Sequence, residues 1–177
     1  MKAYWFEPAD GVLGYDDGRK PRKGRTHKVK ESPVLRARGL HASAHPFDAL
    51  KYAQSNVLWL VELGGEIVEG QDKCAATERK YIKRVDLTDV LRRFACDCAL
   101  DVIDKARPYF SDEGWACCTD YLRNPTEEKR AAASDAASDA ARDAAWDAAW
   151  AAASDAVWAA QRSRFLQMVE AAFSEEV

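Results

Sequence analysis

The chain has 177 residues, 47 % of them hydrophobic and 31 % charged, with a net charge of −3. That length supports one sizeable core plus an appendage, and the composition excludes a wholly disordered chain. No stretch approaches the roughly 18 apolar residues that mark a membrane span, and the segment Met1–Glu7 lacks the apolar run of a secretory leader. The expectation is a cytoplasmic protein with no membrane partner.

In chain order, Ala3–Phe6 reads as a short aromatic strand. Pro8, Gly11, Gly14, Gly18, Pro21 and Gly24 then interrupt regular structure, giving a long loop with short strands near Thr26–Lys30 and Val34–Ala37. This loop is basic. Nine cations lie between Arg19 and Arg38, and Glu31 alone opposes them. Pro46 suits a first helical turn, with Phe47, Leu50 and Ala53 sharing one face. Val57–Leu63 is the clearest strand, apolar enough for burial on both sides. Gly64 and Gly65 are expected to break it, with further strands at Ile67–Val68 and Glu78–Val85.

After Asp86, a natural N-cap, the period changes. Leu87, Val90, Leu91, Phe94, Cys98, Val102 and Ile103 recur at helical spacing, and Pro108 marks an end. A second helix is expected over Asp112–Leu122, closed by Asn124-Pro125. Seven tetrapeptide units of the Ala-Ser-Asp-Ala and Ala-Trp-Asp-Ala kind then run from Ala133 to Ala160. Neither Gly nor Pro occurs from Glu127 to Phe173, and one continuous helix of that span would be about 70 Å long. A four-residue repeat drifts by about 40° per unit on a helix of 3.6 residues per turn, so its aspartates spiral. Trp146, Trp150 and Trp158 stay within one sector with Phe165, Met168 and Val169. That half is expected to pack on the chain's own helix 87–103 or on a second copy, which makes a homodimer through the C-terminal helix one option. A single helix and a hairpin both satisfy the repeat.

The resulting fold class is α+β: a small mixed sheet in residues 1–85, connecting helices in 86–125 and the Ala/Asp/Trp-repeat helix in 126–177. The five cysteines, Cys74, Cys96, Cys98, Cys117 and Cys118, lack the paired spacing of a zinc site. They read as small buried hydrophobes, and no metal is expected.

The run Gly39-Leu40-His41-Ala42-Ser43 with Pro46 and Asp48-Ala49-Leu50, followed by Val61-Glu62, Gly65-Glu66-Ile67 and Asp72-Lys73, resembles an uncharacterised domain family of phages, prophages and bacteria. The Phe94–Ala99 helix and the Ala-Ala-Trp-Asp repeats are similar to a subset of it. This resemblance implies a small phage-type accessory protein that binds a host protein or protein complex in the host cytoplasm, with anti-defence activity, such as anti-CRISPR activity, as one form. A second resemblance is to the small ADP-ribosyltransferase fold, above all its rifampin-modifying type. It implies an NAD-dependent enzyme. Trp5 and His41 would hold NAD, and Asp72, or else Glu69, would supply the acid.

Residue by residue, His41 could hydrogen-bond a ribose or move a proton, or could simply satisfy backbone at a strand end. Glu66, Glu69 and Asp72 lie on a Gly-bounded turn, suited either to stabilising a cationic centre or to solvation. Trp5 and Trp59 are stacking platforms or core. Arg19, Lys20, Arg22, Lys23 and Arg25 could grip phosphates, which leaves a nucleic-acid-binding module as a further reading. No cofactor is expected unless the NAD reading holds.

Overall fold

The computed structural model describes residues 1–14, 17–134 and 155–175. The chain divides into two compact units. One comprises Met1–Thr88 with Phe165–Val177, and the other Asp89–Arg164.

The first unit holds β1 (Lys2–Phe6), β2 (Thr26–Lys28), β3 (Leu40–Ala42), α1 (Pro46–Leu50), β4 (Val57–Glu69) and β5 (Cys74–Asp86). The strands are antiparallel in the order β1-β4-β5-β2, and β3 also pairs with β5. β2 and β3 share one side of β5: Thr26–Lys28 lie opposite Glu78–Lys80, and Leu40–Ala42 opposite Cys74–Ala76. A bridge between Tyr4 and Ser43 returns β3 to β1, so that four strands close into a ring. Alternation along each strand sends Ala3, Ala42, Val61, Leu63, Ala76 and Tyr81 into its core. Trp5 and Trp59, cross-strand partners, both set their rings edgewise to Tyr81, at 5.8 and 5.3 Å.

The opposite face of the ring is also covered, which is why Leu58 and Trp59 are both buried although they point to opposite sides. The residues that cover it come from the end of the last helix. Phe165 and Val169 are fully buried, Phe165 stands edgewise to Phe47 at 6.1 Å, and Phe173 lies 6.5 Å from Tyr4. The Lys83 ammonium donates to the Phe173 carbonyl, one of the acceptors a helix leaves open at its C-terminus. α1 starts as its sequence suggests, with Pro46 in the first turn and His45 Nδ1 accepting from the Phe47 N–H at 3.1 Å.

Two expectations are corrected here. Val34–Ala37, expected as a short strand, is a turn closed by the Val34–Arg38 bridge. Gly64 and Gly65 do not end the strand. β4 runs through them, and the irregularity lies in its register with β5 between Gly64 and Ile67. Gly65 takes φ +67°, and the Glu66 N–H turns to Thr77 Oγ1 at 3.0 Å. The pair makes a bulge, which keeps the ladder going on either side of a kink.

The second unit is helical in its described part. α2 (Thr88–Leu100) begins where the Asp86 carboxylate accepts from the Thr88 N–H at 2.8 Å. It ends at Leu100, short of Pro108, which lies inside a 3₁₀ helix, Ile103–Tyr109. Cys96 is buried beside Phe94 in sequence, whereas Cys98 is only half-buried. α3 (Asp112–Arg123) is capped by Ser111, which accepts from the Gly114 N–H. Phe110 and Arg107 pack on the Trp115 ring at 5.8 and 5.2 Å. α4 is helical from 127 to 134, and Cys118 Sγ reaches the Ala133 carbonyl at 3.3 Å.

α5 (Asp155–Glu175) supplies residues to both units. Most of the tetrapeptide repeat, Trp146 and Trp150 included, lies outside the described residues. Trp158 lies within them and is 51 % exposed. Phe165 and Val169, further along the same sector, are the buried ones. Among the described residues no helix is long and apolar enough to cross a membrane.

Candidate functional site

β1 and β3 touch at the Tyr4–Ser43 bridge and part beyond it. Two hollows, of about 530 and 380 Å³, flank the parting and share Trp5, Phe6, His41, Tyr52 and Gln54. Both volumes fall in the range of small-molecule sites.

His41 thus stands on a cavity wall, as the enzymatic reading requires. Its ring is nonetheless engaged. The 34–38 turn places Arg36 at φ +65°, and the Arg36 N–H donates to His41 Nε2 at 3.1 Å. Burial, then the nearby charges of Lys73 and Arg79, hold the imidazole below its ordinary pKa. His41 is neutral at pH 7 and tethers a strained turn.

The two candidate acids stay out of both hollows. The Tyr52 hydroxyl donates to Asp72 at 2.9 Å, and Lys51 lies 3.6 Å from the same carboxylate. That Tyr52 hydrogen bond, with Lys51 and Arg36 assisting, lowers the Asp72 pKa. Glu69 is exposed at the end of β4, opposite Cys74. Lys73 takes the Tyr52 ring face, 3.6 Å from its centroid.

Trp5 lines both hollows and carries a cation: the Arg79 guanidinium lies over its ring at 4.0 Å. Arg79 projects from β5 onto the core side and is only 2 % exposed. Its Nη1 donates to the His41 carbonyl at 2.6 Å, and its Nε and Nη2 donate to the Tyr81 hydroxyl at 3.2 and 2.9 Å. Burial lowers the arginine's pKa, opposed chiefly by Tyr81. Sequence reasoning missed this residue. The available signal was its position two before Tyr81 in the strand over Glu78–Val85, which puts both side chains on one face.

The basic loop divides in two. Arg19 is committed: it chelates the Asp17 carboxylate, with Nη2 to Oδ2 at 2.6 Å, and donates to the Lys28 carbonyl. Lys20, Arg22, Lys23 and Arg25 are exposed, and none of them meets a carboxylate among the described residues. Arg22–Arg25 form a turn that feeds β2. The Gly24 N–H reaches the Tyr81 carbonyl at 2.7 Å, with Gly24 at φ +81°. Among the described residues no group of His, Cys, Asp or Glu is arranged to hold a metal.

The matched region takes in β2 to β5 and α1, but neither β1 nor the Asp17–Arg19 pair. Residues 20–93 match the family model of a domain of unknown function, DUF7666. The match covers less than half of the chain, running from the basic loop through β5 into α2. No curated protein and no solved structure matches the chain.

Proposed function

We propose that the protein acts by binding, and that its partner is a host protein or protein complex with an acidic face that meets the segment 19–38. The observation that carries this is the set Lys20, Arg22, Lys23 and Arg25, exposed cations with no carboxylate of their own among the described residues. Cations already held in ion pairs offer little to a partner, whereas free ones steer it and fix its register. The phage setting implied by the motif resemblance makes a host defence complex the first partner to try. The low count of interleaved aromatics favours protein over single-stranded nucleic acid.

The test is capture from host lysate on immobilised protein, with and without nuclease, followed by salt elution. A partner that resists nuclease, elutes with salt and is missing on the Arg22→Glu, Lys23→Glu, Arg25→Glu variant supports the reading. Nuclease-sensitive capture moves the loop to nucleic acid, and identical capture by the variant removes the loop as the surface.

NAD-dependent transfer is the second reading. Its support is that Trp5 and His41 line the same hollows. Against it, neither Asp72 nor Glu69 lines either one. Saturable heat on calorimetric titration with NAD, together with release of nicotinamide, would put it first.

A further inference from the structure

The hollow of about 530 Å³ has an unusual floor. Arg79 is buried there, and among the described residues no carboxylate is bound to it. A buried guanidinium normally has an acid as partner, because removing a cation from water without one is unfavourable. Here its neighbours are a carbonyl, a phenol and an indole face.

The protons can be followed around this cluster. Tyr81 Oη already accepts from Arg79 Nε and Nη2, so its own proton goes to His27 Nδ1, 3.2 Å away. His27 is therefore neutral and carries its proton on Nε2, a buried atom with no partner among the described residues. Burial and the charges of Arg19, Arg25 and Arg79 favour that neutral form. Among the described residues the cluster has one positive charge and no anion. Three of the guanidinium N–H bonds are used, and the others have no acceptor among the described residues.

The described carboxylates on the cavity wall, Asp17 and Glu31, are engaged elsewhere. Asp17 is close enough to act on Arg79 through space, but it is chelated by Arg19. Glu31 is 3.3 Å from Arg38. Lys30, on the same wall, is exposed and has no such partner.

We propose that this hollow is an oxyanion site, in which Arg79 and Lys30 hold the phosphate of a small molecule of nucleotide size. Guanidinium N–H groups match phosphate oxygens, and the stacked indole holds the fork in place. The aromatic wall of Trp5 and Tyr52 suits a ring attached to that phosphate. The site is independent of the exposed surface at Arg22–Arg25, and either can fail alone.

The experiment titrates the full chain with inorganic phosphate, AMP and adenosine, read by calorimetry and by melting temperature. Both anions are expected to bind and to raise the melting temperature, and adenosine alone is expected not to. Tighter binding of AMP than of phosphate assigns the site to a phosphorylated ring compound, and equal affinity assigns it to the free oxyanion. Arg79→Lys, which keeps the charge and loses the fork, should weaken binding at least about tenfold. Lys30→Glu, a surface change that does not touch the core, should weaken it several-fold. If Arg79→Lys fails to fold, Lys30→Glu decides. Absence of binding by either anion at 10-fold molar excess up to about 10 mM, or unchanged affinity in the variants, overturns the proposal.

Discussion

Gly65→Ala isolates what the β4 bulge demands of its residue. Gly65 has φ +67°, and a Cβ built on it would fall 2.1 Å from Thr77 Oγ1 and 3.2 Å from Glu78 Cγ. The left-handed backbone costs an L-residue about 1–2 kcal/mol. Thr77 must also rotate away, which releases the Glu66 N–H from its acceptor at a cost of about 1 kcal/mol. The stiffer unfolded chain returns about 0.4–1 kcal/mol. The net loss is about 2 kcal/mol, or roughly 4–8 °C in melting temperature for a chain of this size. Gly24→Ala is the control. Its φ is +81°, but nothing lies within 4 Å of the added Cβ, so it should lose no more than about 1 kcal/mol. Urea unfolding followed by circular dichroism measures both. Equal losses would refute the steric argument and leave only the backbone term.

Three further outcomes are expected. Phe165→Ala removes a fully buried ring from between α5 and Phe47 and should cost about 3–5 kcal/mol; a loss below 1 kcal/mol in urea unfolding would contradict that packing. Trp158→Ala, at a side chain 51 % exposed, should move the melting temperature little, and a concentration-dependent loss in sedimentation would instead reveal a homodimer through α5. Stability should fall with pH below 6.5, because His27 and His41 both have folded pKa values below that ordinary value. Well above 6.5 both states are neutral and the two histidines contribute no slope. Below it the unfolded chain binds protons that the folded one refuses, until pH drops through the depressed values. His27→Gln should flatten the urea-midpoint profile between pH 7 and 5, and an unchanged slope would be inconsistent with a neutral His27.

Much of the sheet could be read directly. Lys2–Phe6 carries three consecutive aromatics and the strand from Val57 an unbroken apolar run, and both are local signals. Pro46 and Asp86 announce helix starts through backbone chemistry that needs no tertiary partner. The Gly64-Gly65 step misled because a glycine pair fits a strand end and a bulge equally well, and only the cross-strand register separates them. His41 was legible as a wall residue, but its tether to Arg36 depends on a turn five residues away. Arg79 shares a face with Tyr81, but the extra residue between Tyr81 and Lys83 puts Val85 on the other face, so the strand as a whole shows no clean alternation that would set Arg79 inside. A buried cation also has no local signature in a chain with many exposed ones.

The ring of strands is closed by unequal joints. β4 and β5 share a ladder running the length of both strands, whereas β1 and β3 meet through the Tyr4–Ser43 pair, with N–H to carbonyl distances of 2.8 and 2.9 Å. A closed sheet opens first where the fewest bonds must break together. The Tyr4 and Ser43 amides should therefore exchange with solvent sooner than that of Val61. A molecule too large for the resting hollow could enter by parting this joint alone, while the β1–β4 and β4–β5 ladders keep the indole of Trp5 and the guanidinium of Arg79 in place. The ring is thus held by full ladders on one side and by a single bridged pair on the other.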